Sequence, residues 1–169
     1  MTEEERRVDA YLQERGKKTL PLWSELPDID LYMDQLTSLV NRYMGYTTKE
    51  RMLTASMVNN YVKMKVMPAP VKKKYGREHL MYLIVICILK QVMPLSSVEV
   101  VLRDALERTT PGQFYESVRL LYQAAFKEAV DVAEYMIEQG NMSVSMTLAL
   151  ALKAHAEQAL AQEILELCP

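Results

Sequence analysis

Leu53-Thr-Ala-Ser-Met-Val-Asn-Asn-Tyr-Val-Lys-Met-Lys-Val-Met-Pro-Ala-Pro-Val-Lys-Lys-Lys-Tyr75 is the stretch on which the reading of this 169-residue chain turns. Thr54 is a natural helix N-cap, and the residues after it alternate apolar and polar side chains with a helical period. Pro68 and Pro70 forbid continuation. The stretch predicts a short helix over about 54–66, a proline stop and a basic loop over about 69–76. Val58, Tyr61, Val62 and Val66 make the inward stripe of that helix, whereas Ser56, Asn59, Asn60 and Lys63 fall at i, i+3, i+4 and i+7 on another face.

Charge gathers in the same place. Between Thr47 and Arg77 lie Lys49, Arg51, Lys63, Lys65, Lys72, Lys73, Lys74 and Arg77, with Glu50 the sole acid, a formal +7. The whole chain carries −2, so the remainder carries −9. An acidic protein with this asymmetry has the surface expected of one that meets a polyanion.

Half of the residues are apolar, which is enough for a substantial core, and glycine is sparse. Ala, Leu, Met, Glu and Lys recur at helical spacing, so the expected fold class is all-α with minimal sheet. Cys87 and Cys168 are too few for a disulfide framework and have no zinc-ligand spacing, and the charged segment after Met1 has no secretory character. The longest apolar run, Leu80 to Leu89, is about half of the ~20 residues a membrane span needs. The expectation is a cytoplasmic protein with no membrane segment and no cofactor.

Outward from the central stretch, a short leading helix spans Glu3 to Arg15, followed by a connector that Trp23 and Leu26 pin to the core. Asp28 or Asp30 caps a helix running to about Met44, where Gly45 ends it. A polar link through Thr47, Thr48, Lys49 and Glu50 leads to the helix at Thr54. Beyond the basic loop, His79 to Val92 is apolar almost all round and reads as a central pillar. Pro94 breaks it, and Ser96 or Ser97 opens a shorter helix. Pro111 opens a long one that ends with Gly140 at C′, and a last helix begins near Asn141 or Ser143, so the final third reads as an antiparallel helical hairpin. The expected domains are 1–27 (helix and connector), 28–108 (the basic domain) and 109–169 (the hairpin). A two-helix unit cannot bury both faces, so the hairpin must pack on the first domain or support a homodimer.

Val58-Asn59-Asn60-Tyr61 with Lys63, then Val66-Met67-Pro68, then Lys72-Lys73-Lys74-Tyr75 and Leu95-Ser96-Ser97-Val98-Glu99 resemble, in order and spacing, the MerR-type DNA-binding domain. More closely, Leu53 to about Leu102 is similar to the bacterial domain-of-unknown-function 1836 family, with similarity extending back towards Leu26. The resemblance implies a winged helix-turn-helix: the helix from Thr54 as the recognition helix in the major groove, and the loop around Lys72 to Tyr75 as the wing along the backbone. Asn59, Lys65 and Lys73 stand where the MerR pattern has an arginine, a glycine and an arginine, and the link between Met44 and Thr54 is longer than the MerR turn.

The expected partner is double-stranded DNA, with Ser56, Asn59, Asn60, Lys63, Lys65, Lys72, Lys73, Lys74 and Arg77 as the DNA-binding set. Lysines neutralise phosphates, and asparagine amides suit the adenine edge. The competing reading is a protein-interaction adaptor of the same fold with no DNA binding. Tyr61 and Tyr75 are expected to pack in the core and under the wing, His79 and His155 to be structural, and the methionines to fill the core. No P-loop, GxSxG or HExxH is present, and Cys87 sits in an apolar run, so a catalytic role is not expected.

Overall fold

A computed structural model describes residues 3–17, 19–45, 48, 51–140 and 144–167, the side chains of Glu4 and Glu5 excepted. The expectations placed on Thr47, Lys49, Glu50, Asn141, Ser143 and Cys168 lie outside the described residues. Among the described residues the chain is all-helical, with seven α-helices and no strand beyond isolated β-bridges. The helices are α1 (Glu3–Gly16), α2 (Met33–Met44), α3 (Ala55–Lys63), α4 (Arg77–Leu89), α5 (Leu95–Arg108), α6 (Pro111–Glu138) and α7 (Val144–Leu167).

The chain divides into two compact units, Leu20–Arg119 and Met1–Thr19 with Leu120–Pro169. In the first, α4 is the pillar that its all-round apolar sequence predicts: Leu80, Met81 and Leu83 to Cys87 are buried. It packs against α2 and α5, and α2 packs against α3. Leu36, Val40 and Met44 turn the buried face of α2 inward, and Val98 and Leu102 do so for α5. Among the described residues the buried polar side chain of this core is Asn41, and both ends of its amide are hydrogen-bonded. Its Nδ2 donates to the Leu53 carbonyl at 3.0 Å and its Oδ1 accepts from the Leu53 amide at 2.7 Å, which fixes the approach to α3.

Helix α2 starts later than either aspartate would place it. Leu31 exchanges both backbone hydrogen bonds with Tyr75, at 2.8 and 2.9 Å, so the chain is held extended there and Tyr32 becomes the N-cap, its amide bonded to the Gln35 side chain. Gly45 closes α2 in the left-handed region, as expected.

The connector and the start of α6 belong to this same unit. The Trp23 amide donates to Glu116 Oε1 at 2.6 Å, the Tyr115 hydroxyl donates to the Pro21 carbonyl at 2.9 Å, and the Trp23 and Tyr115 rings lie 5.8 Å apart. Gly112 lets the helix approach closely here, since a Cβ would come within 3.1–3.2 Å of the Trp23 indole and the ring would have to give by a few tenths of an ångström. This tie holds the connector and the start of α6 in one compact unit with α2 to α5.

In the second unit α1 joins the hairpin. Leu12, Val130 and Ala133 form a small core with Val8, Ile137, Met146 and Leu150 against it, and Lys153 bridges Glu128 at 2.6 Å. Lys153 stands nine residues into α7 and Glu128 ten residues before the end of α6, so the two helices run antiparallel. Gly140, at φ +73°, takes the C′ position predicted for it. No helix among the described residues is long and apolar enough to cross a membrane.

Candidate nucleic-acid interface

The Thr54 hydroxyl caps α3 by accepting from the Met57 amide. With the helix thus started, Val58 and Tyr61 fall buried against the core, Val62 is half-buried, and Ser56, Asn59, Asn60 and Lys63 are all exposed along one flank. The Asn59 side chain makes no hydrogen bond among the described residues, while Asn60 Nδ2 lies 3.3 Å from Met64 Sδ. The amides therefore face solvent rather than bracing the fold.

Helix α3 stops at Lys63, three residues short of the predicted end, and is ended by its own backbone and not by the prolines. The Val66 amide bonds to the Tyr61 carbonyl and the Lys65 amide to that of Val62, a Schellman closure. Its left-handed residue is Lys65, at φ 60°. Glycine is the usual occupant, and a lysine there pays in backbone strain for keeping a cation at the helix end.

The basic loop is a two-residue hairpin. Val71 and Lys74 exchange backbone bonds at 2.9 and 3.1 Å around Lys72 and Lys73, whose φ values of 49° and 64° are both positive. Positive φ at both central residues is the type I′ signature, normally met with Asn-Gly or Gly-Gly. Here both are lysine, and both are exposed. The base of the hairpin is held from two sides. The Leu31 bridge grips Tyr75, and His79 Nδ1 accepts from the Gly76 amide at 3.1 Å while Nε2 faces the Ala69 carbonyl at 3.3 Å. The Tyr75 ring is buried edge-on to His79, and desolvation pushes its hydroxyl pKa upward.

Not every predicted contact points outward. Arg77 turns back onto the connector: its Nε donates to the Leu26 carbonyl at 3.0 Å, its guanidinium lies 5.5 Å over the Trp23 ring, and Asp28 is 3.7 Å away. With its side chain only 22% exposed, it serves the packing of the unit. Lys74 lies 5.9 Å over the ring of Tyr32, itself more than half exposed. Tyr32 has no signature in the helical pattern, because it reaches the hairpin only through the Leu31–Tyr75 bridge. Of Met52, Met57, Met64 and Met67, only Met67 is core; Met57 is half-buried, and Met52 and Met64 are exposed.

The family described as Domain of unknown function (DUF1836) matches residues 21–125, more than half of the chain. The chain belongs to the DUF1836 family. No curated protein and no solved structure matches it. The DUF1836 segment nearly coincides with the unit Leu20–Arg119, so the exposed α3 flank, the lysine hairpin and the bridge that anchors it all lie within the DUF1836 domain. Most of the α6–α7 hairpin lies beyond the DUF1836 match.

Proposed function

We propose that the unit Leu20–Arg119 is a DNA-binding domain of winged helix-turn-helix form in a transcriptional regulator, with α3 as recognition helix and the lysine hairpin as wing. The observation that carries this reading is the strained turn. Left-handed backbone at a non-glycine residue costs about 1–2 kcal/mol, and this chain spends it on lysine at Lys72, Lys73 and Lys65. Cations held at a fixed tip are what a phosphate backbone selects.

Lys63, Lys65, Lys72, Lys73 and Lys74 would contact phosphates, releasing condensed counterions, and five such contacts give a log-log salt slope of roughly −4 to −5. Asn59 and Asn60 suit bidentate contact with adenine, and Ser56 suits several base edges. Arg77 keeps its structural role. The test is fluorescence anisotropy with random duplex DNA at two salt concentrations, comparing the parent with K72A/K73A/K74A. Steep salt dependence in the parent, lost in the variant, supports the reading; a parent without salt-dependent binding overturns it.

The exposed leucines of α7 favour one alternative, a protein-interaction adaptor that keeps the fold and uses its C-terminal helices as a groove, or docks an acidic partner on its lysines. It predicts no affinity for random duplex under the same conditions.

A further inference from the structure

Helix α3 packs on α2 and α5 packs on α4, and between the end of α3 and α5 the unit Leu20–Arg119 leaves an open cavity of about 460 Å³. Its floor is apolar. Val66, Met67 and Leu102 are buried there, with Val62 and the ring of Tyr82 half-buried beside them. Small-molecule sites have this character: a volume of about 300–1,000 Å³, an apolar lining and a few polar groups at fixed places.

The polar groups left over for a ligand are all donors. Lys65 stands at the lip, and its ammonium has no hydrogen bond or ion pair among the described residues. The Tyr82 hydroxyl has no hydrogen bond among them either. Arg103 gives Nη1 to Glu99 at 3.1 Å and Nε to Asp104 at 3.4 Å, so its Nη2 is uncommitted and the one acid of the lining, Glu99, is taken. The carbonyls are used as well. Those of Asn60, Tyr61 and Val62 accept from the amides of Met64, Val66 and Lys65, and that of Ala69 faces His79 Nε2 at 3.3 Å. Two cations against one acid, and donors without acceptors, call for an anion that accepts.

We propose that this cavity binds a small carboxylate with an apolar body, an aryl or medium-chain alkyl acid. The body lies on Val66, Met67 and Leu102, and the carboxylate accepts from the Lys65 ammonium and the Tyr82 hydroxyl. An uncharged analogue of the same shape keeps the floor and loses the charge-assisted bond at the lip. The site does not rest on the DNA reading; where that reading holds, an occupant takes one phosphate-binding cation from the end of α3.

Amide NMR shift mapping on the full chain tests the proposal, with 1-naphthoate and octanoate as probes, each against its neutral amide. At least one acid should saturate with a dissociation constant of about 0.1–1 mM, the range an open site allows for roughly a dozen non-hydrogen atoms. It should shift Val66, Met67 and Leu102 together, and which acid does so tells an aryl body from an alkyl one. Its amide should bind at least ~10-fold more weakly, and K65Q and Y82F should each weaken the acid by about 5–10-fold. K72Q, which removes a lysine at the hairpin tip, should leave the acid's affinity unchanged. Neither acid saturating, shifts centred away from the floor, an amide matching its acid, or K72Q acting like K65Q would overturn it. If K65Q or Y82F loses helicity, A69W decides instead: it fills the lip at an exposed residue and should abolish binding, and undiminished binding refutes the site.

Discussion

Exchanging Lys72 and Lys73 for glycine should do two things that rarely go together: stabilise the fold and weaken its binding to DNA. Both residues sit at positive φ in a two-residue turn, where each costs about 1–2 kcal/mol relative to glycine in the folded state. Glycine's greater freedom in the unfolded chain returns about 0.5–1 kcal/mol per site, which leaves a net gain of about 0.5–1 kcal/mol each and about 1–2 kcal/mol for the pair. For a domain of about 100 residues, 1 kcal/mol raises the melting temperature by about 4–8 °C, so K72G/K73G should melt at least about 4 °C above the parent. K72A/K73A retains the left-handed strain and should show no such rise. Binding should move the other way in both. Each lost phosphate contact takes about 0.9 off the log-log salt slope, so two shallow it by about 1.8 and weaken binding at 0.1 M salt by roughly 60-fold.

Thermal melts followed by circular dichroism and anisotropy titrations on the same preparations separate the two effects. If the glycine pair melts no higher than the alanine pair, the strain argument fails. If both variants bind random duplex like the parent with the same slope, the lysines were not placed for phosphate and the wing assignment fails.

Three further outcomes follow from the same packing. N41A strands the buried amide and carbonyl of Leu53 and should cost about 2–3 kcal/mol in urea unfolding, well beyond the loss of an exposed asparagine. The Glu116 carboxyl is held below its usual pKa, first by the Trp23 amide and then by Arg119, so its contribution is present above the unfolded pKa and lost as pH falls through the lower folded value. The melting temperature should therefore drop on acidification below about pH 4, and E116Q should flatten that drop. Burial pushes the Cys87 thiol up to about 11, with Lys90 pulling weakly the other way. In a C168S background it should resist thiol reagents near pH 8 until denaturant is added; fast labelling of the native protein would contradict its burial.

What could be read from the sequence was local. Apolar spacing, Thr54, Gly45, Gly140 and the proline breaks gave the helices to within a few residues, and the split between the inward stripe of α3 and its polar flank came from period alone. The misses share a physical cause, which is contact between segments far apart in the chain. Tyr32 replaces the aspartates as N-cap because Leu31 pairs with Tyr75, forty-four residues on. Arg77 looked like one more member of a basic run until the connector, fifty-one residues earlier, offered it a carbonyl and an indole face. Helix α1 joins the α6–α7 hairpin through Leu12 and Val130, a pairing with no trace in local pattern. The left-handed lysines are a different case: turn chemistry points to glycine at such positions, so their geometry could only be seen in the structure.

That departure from turn chemistry bears on how affinity and selectivity divide on the DNA reading. Exposed lysines bind any duplex, because phosphates carry no sequence. Selection then falls to the α3 flank, which holds two amides and a hydroxyl but no arginine, and so favours adenine edges over the guanine contacts that arginine makes. A domain built this way gains general grip from its tip and modest discrimination from its helix. Raising that discrimination without adding an arginine requires reading the sequence twice: two weak readings joined at a two-fold axis would act as one, provided the half-sites match its spacing.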